Sequence, residues 1–217
     1  MRRLTTWAAA LAALIAAGAL AWITLRKPAH RPYTIAESSL TGWTLTASDG
    51  TDPWVVGLAP PESLLNGLFT EATRQAGHPL MAPAHRALPI VLRGEFDEGL
   101  QGVYGTDSVL SIARDAGIET SRFAPVCLAH KTASGPSGSS ELYFVPFESA
   151  TFNQVRSNLI PAFPEQAGVG VYDPGTLTPI LIVGASDNHF EQWWPLVVSR
   201  ETDCIAPLEI TPVAAGS

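Results

Sequence analysis

Lysine is nearly missing from this sequence: of 13 basic residues, only Lys27 and Lys131 are lysines. Cysteine occurs twice, methionine twice, and 15% of the 217 residues are charged. Two cysteines cannot make a disulfide-dense scaffold or a cysteine-rich zinc site. The histidines, His30, His78, His85, His130 and His189, form no HExxH or other paired ligand spacing. No metal and no cofactor is therefore expected. Composition also excludes collagen, coiled coil and wholesale disorder. The few cations are in the wrong place for nucleic acid. Arg2, Arg3, Arg26 and Lys27 lie at the start, and the chain beyond them has 9 basic against 20 acidic residues, a net of −11. Such a surface lacks the cations that release phosphate counterions, so no nucleic-acid partner is expected.

What the sequence does contain is one long apolar run. Leu4 to Leu25 carry no charge, with arginines before and Arg26-Lys27 after. As a helix this run spans about 33 Å, the thickness of a bilayer core. Trp7 and Trp22 stand near its ends, where amphipathic rings favour the interface. Residues 4–25 thus read as a membrane span within a signal-anchor, 1–27. Ala19-Leu20-Ala21 fits a cleavage site, which keeps a cleaved secreted or periplasmic form as the alternative. The apolar run continues through Trp22–Leu25, which favours the uncleaved anchor. The export-like start places the amino terminus inside and the domain outside. Ala9, Ala13, Ala17 and Ala21 recur every fourth position, a spacing that lets two helices approach and permits a homodimer.

Residues 28–41, with Pro28, Pro32, Ser38 and Ser39, read as a linker, and 42–217 as a single extracytoplasmic α+β domain. Two strands, 43–47 and 54–58, flank Ser48-Asp49-Gly50, and Asp-Gly is a turn signal. A helix is expected between Pro61 and Gly77 on the stripe Leu64, Leu65, Leu68, Phe69 and Ala72. A strand at 88–93 leads into a glycine-rich acidic loop at 94–106. A helix capped by Asp107 then runs to Ala116. Strands at 125–131 and 141–147 are joined by a long Ser/Gly loop. A helix at 150–159 buries Phe152, Val155 and Leu159. A strand at 179–184, a short helix begun by an Asn188/Glu191 capping box, and a strand at 204–211 complete the chain. From 88 to 184 the order is βαββαβ, which predicts a ferredoxin-like antiparallel sheet with helices on one face and extra flanking elements.

Chemistry is sparse. Cys127 and Cys204 form an even pair, and in an oxidising compartment they are expected to join. Asp97, Glu98 and Asp107, in or beside the 94–107 loop, and Asp187 with His189 in the 185–190 loop are the catalytic candidates. Clustered carboxylates and an imidazole are the groups acid/base chemistry requires. Solvated loop acids and helix caps account for the same residues. No Gly-x-Ser-x-Gly elbow and no phosphate-binding loop occurs. Phe190, Trp193 and Trp194 are expected to pack into the core. The leading expectation is a membrane-tethered extracytoplasmic binding or accessory domain with a protein partner in the cell envelope. The alternatives are a carboxylate/His-dependent hydrolase and a small-ligand sensor, each using loops 94–107 and 185–190.

Overall fold

A computed structural model of the chain describes residues 32–135, 138–160 and 172–212. The expected span at 4–25 lies outside the described residues. Among the described residues, no helix is long and apolar enough to cross a membrane.

The fold class is α+β, built on two sheets. Strands β1 (Tyr33–Ala36), β5 (Ala124–Pro125), β6 (Cys127–Gly135), β7 (Gly138–Glu148), β8 (Ile180–Ala185) and β9 (Cys204–Thr211) form a mixed sheet. Its centre is β7, which pairs antiparallel with β5, β6 and β8. β6 also pairs antiparallel with β9, and β9 runs parallel to β1. A second, antiparallel sheet holds β2 (Thr44–Ala47), β3 (Trp54–Ala59) and β4 (Leu88–Leu92) in the order β2-β3-β4.

This corrects the ferredoxin-like expectation. The βαββαβ order is present, but β4 pairs with β3 in the smaller sheet and does not join β6, β7 and β8. The β2–β3 hairpin supplies a ready edge for β4, so the two halves of the sequence pattern go to different sheets. Ordered pairing also begins at Tyr33, within the segment read as a linker.

Among the described residues the longest helices packed with these sheets are α1 (Glu62–Ala76), α2 (Thr106–Asp115) and α3 (Ala150–Asn158). α1 ends at Gly77 in the left-handed conformation, φ 73°, where glycine avoids a Cβ clash. α3 begins at Ser149, whose hydroxyl accepts the Phe152 N–H. α2 starts at Gly105, and Asp107 lies in its first turn instead of capping it. The main core lies where the helices and sheets meet. There Trp43 stacks on Phe123 at 4.5 Å between ring centroids, and Phe147 meets Trp43 edge-on. A second cluster gathers Cys127, Ala129, Leu142, Phe144, Ile182 and Trp193.

Two expected loops are ordered differently. β6 and β7 continue pairing out to Gly135 and Gly138, so most of the expected 132–140 loop is ladder. Residues Arg93–Glu95 form a helical turn that runs into a wide turn at Phe96–Leu100, in place of the open loop at 94–106.

Candidate functional site

The wide turn after β4 is held by charge. Glu95 accepts the Leu92 N–H at 2.9 Å and faces Arg156 of α3. Arg156 is wholly buried, yet its donors are all engaged. Two go to the Glu95 carboxylate at 2.6 and 3.1 Å, and the rest to the carbonyls of Ile90, Asp173 and Pro174. Burial of a guanidinium is tolerated only when it is paired and saturated with acceptors in this way. The result fixes β4, the 93–100 turn, α3 and the 172–177 loop to one another. Tyr172 adds its ring beside Arg156, 5.2 Å from the guanidinium carbon, and its hydroxyl donates to the Arg156 carbonyl. Burial pushes the Tyr172 phenol well above the ordinary tyrosine range.

These elements form one side of a groove of about 630 Å³. Its apolar walls are Pro53, Leu92, Leu177, Trp194 and Pro195, and Asp97, Glu98 and Glu191 stand in its lining. The far wall is carried by the 3-10 turn Phe190–Trp193. Trp193 is buried in the second cluster beside Cys127, while Trp194 is half-buried and faces the groove. That cluster sits against the Cys127–Cys204 disulfide, which joins β6 to β9 with the Cα atoms 5.7 Å apart. The bond expected from the sequence is therefore present, and bonds of this kind persist in oxidising compartments.

The groove is electrostatically one-sided. Arg93 lines it, but its guanidinium donates to the carbonyls of Asp52 and Trp54. Glu95 is neutralised by Arg156. Asp97 and Glu98 are exposed, and among the described residues neither has an ion-pair partner. Glu191 is exposed and meets the equally exposed His189 at 3.5 Å. Arg93 keeps its positive charge, and Asp97, Glu98 and Glu191 outnumber it, so the net charge in the groove is negative.

The sequence candidates are only partly united. Asp97 and Glu98 line the groove; Asp107, Asp187 and His189 are not among its lining residues. Asp187 accepts from the Ser140 hydroxyl and from the His189 N–H at 3.0 Å. The Ser140 hydroxyl, foremost, holds its carboxyl below the usual range. The expected Asn188/Glu191 capping box does not form: His189 occupies the cap position without a side-chain bond, and Asp187 supplies the turn.

Sequence reading missed two constellations. In one, Asp49 and Asp52 in the β2–β3 turn meet His85 from the segment before β4, with His85 Nδ1 3.0 Å from Asp52 Oδ2. In the other, Glu141 of β7 gathers His78 at 3.2 Å, His130 at 3.7 Å and the Tyr143 hydroxyl at 3.3 Å. Burial, and then the Glu141 charge, push Tyr143 up to about 12. Neither set has a local motif, because each is completed by a histidine from a distant part of the chain.

Neither the family models, the curated proteins nor the solved structures compared with the chain match it. The functional reading rests on geometry and chemistry.

Proposed function

We propose that the protein is a membrane-tethered extracytoplasmic binding module. In this reading residues 4–25 anchor it, and the groove takes an apolar peptide segment carrying a positive charge from an envelope partner. The observation that carries this is the pairing of apolar walls with acids that outnumber the groove's one cation, Arg93. Pro53, Trp194 and Pro195 offer apolar surface for desolvation, while Asp97, Glu98 and Glu191 select a cation. A volume of about 630 Å³ lies within the range of roughly 300–1,000 Å³ that ligand sites occupy. The Arg156–Glu95 lock holds one wall, and burial of Trp193 in the second core cluster anchors the turn that carries the other, which lowers the ordering cost of binding.

The test is a fluorescence-anisotropy titration of the full chain with a labelled apolar hexapeptide bearing one lysine. Its control is the same peptide with glutamate in that place. Saturable binding of the lysine peptide, with weaker binding of the glutamate form, is expected. Trp194→Ala should weaken binding by about tenfold or more, as truncating a buried aromatic anchor does. Equal binding of both peptides, or no effect of Trp194→Ala, overturns the reading.

A further inference from the structure

A second cluster is built from residues that do not line the groove, although Glu191 reaches one of its hollows. The turn between β2 and β3 and the segment preceding β4 bring Asp49, Asp52 and His85 together. One ligand atom from each lies within 4.8 Å of the others. We propose that these three side chains bind one divalent cation of the zinc class.

The donor chemistry fits such an ion. One imidazole nitrogen and two carboxylate oxygens match a borderline cation, and the two carboxylates balance its double charge. Zinc holds nitrogen and oxygen ligands at about 2.0–2.2 Å, which places neighbouring donors of a tetrahedral site about 3.4 Å apart. His85 Nδ1 and Asp52 Oδ2, now 3.0 Å apart, need to separate only slightly to admit it. The cluster is also unequal in a useful way. Asp52 is the fixed member: its side chain is one-tenth exposed, its carboxylate accepts from the Ser48 hydroxyl at 2.9 Å, and its carbonyl accepts from Arg93. Asp49 and His85 are exposed, and their side chains are able to close on an ion held by Asp52. Asp49 is already orientated by the Thr51 N–H and hydroxyl, at 3.0 and 2.6 Å.

Room for the remaining ligands is present. Two hollows, of about 240 and 390 Å³, both have Asp52 and His85 in their walls. A cation there keeps one or more coordination positions open to water or to an incoming donor, the arrangement of a reactive or exchangeable site. A bound ion also staples the β2–β3 turn to the chain entering β4, two segments that meet here through side chains 33 positions apart.

The site is tested with zinc alone. The full chain in detergent, stripped with chelator, is titrated with Zn²⁺ in competition with a chromophoric chelator. Co²⁺ substitution provides a visible ligand-field spectrum as a second readout. One ion per chain is expected. His85→Ala and Asp49→Asn, both at exposed positions that leave the core intact, should each weaken binding by about tenfold or more, since even outer groups of metal sites are worth that much. Asp52→Asn should do the same. His78→Ala and His130→Ala, which remove imidazoles elsewhere, should leave the affinity and the cobalt spectrum unchanged. Binding below one ion per chain, or binding that survives His85→Ala with its spectrum intact, overturns the proposal. Equal losses in His78→Ala and His85→Ala also overturn it, because they mean scattered surface coordination.

Discussion

Arg156 and Glu95, 61 positions apart, form a two-pronged ion pair in which the arginine has no solvent exposure. Breaking such a pair from one side leaves an uncompensated group in the interior. Arg156→Met strands the Glu95 carboxylate and the carbonyls of Ile90, Asp173 and Pro174. The expected loss is about 3–5 kcal/mol of unfolding free energy. Glu95→Gln also destabilises, and the double variant costs less than the sum of the two, because the partners share one interaction. Urea unfolding of the four proteins provides the cycle.

The Cys127–Cys204 bond spans 77 positions and ties β9, and through it β1, to β6. In the chain-entropy treatment, closing a loop of that length is worth up to about 4.5 kcal/mol. Unfolding measured with and without reductant should show a large loss. Cys127→Ala/Cys204→Ala should reproduce it and become insensitive to reductant.

Local chemistry was legible in the sequence, and long-range pairing was not. Pro61 and Gly77 bracket α1 because a missing N–H suits one helix end and positive φ the other. Asp49-Gly50 marks the β2–β3 turn for a similar reason, and two strand cysteines proved to be bonded. No local period states that β4 will add to β3, so the sheet assignment failed there. Arg156 is the instructive miss. It lies four positions after Phe152, three before Leu159 and next to Val155, and all four are buried. The stripe thus pointed to a buried charge, and its partner, Glu95, lay in the stretch read as a solvated acidic loop. Once Glu95 is spent on Arg156 and the Leu92 N–H, residues 93–100 coil into turns and the remaining acids, Asp97 and Glu98, face the groove.

Tyr33 of β1 lies over Gly67 of α1. A Cβ at position 67 would sit 2.0 Å from the Tyr33 hydroxyl oxygen. Alanine is favoured over glycine in a helix by about 1 kcal/mol, yet Gly67→Ala should destabilise, by about 1–3 kcal/mol for the overpacking. In a Tyr33→Phe background the nearest remaining ring atom is Cζ, 3.2 Å away, and most of the cost should disappear. Denaturant midpoints of the single and double variants decide it.

Asp203 closes the turn before β9, accepting the Ser199 N–H at 2.9 Å and facing Lys131 at 3.3 Å. Burial works to raise its pKa, but the Ser199 N–H, the Thr202 hydroxyl and Lys131 together hold it below the usual carboxylate value. A lowered folded-state pKa means the contribution is complete above the unfolded value, about 3.9, and is lost as pH falls through the folded one. Asp203→Asn should cost about 1–3 kcal/mol at neutral pH. The gap between variant and parent should narrow below about pH 4, which urea titrations at several pH values will show.

Location is the premise on which the binding role rests, and thiol labelling tests it most directly. Cells stripped of any outer layer are treated with a membrane-impermeant maleimide and, separately, with external protease; the membrane fraction is then denatured with and without reductant. The expected result is a membrane-bound chain whose domain is cut from outside and whose Cys127 and Cys204 label only after denaturation and reduction. Thiols that label without reductant in opened, denatured samples, together with a domain that external protease leaves whole, would contradict an extracytoplasmic binding module.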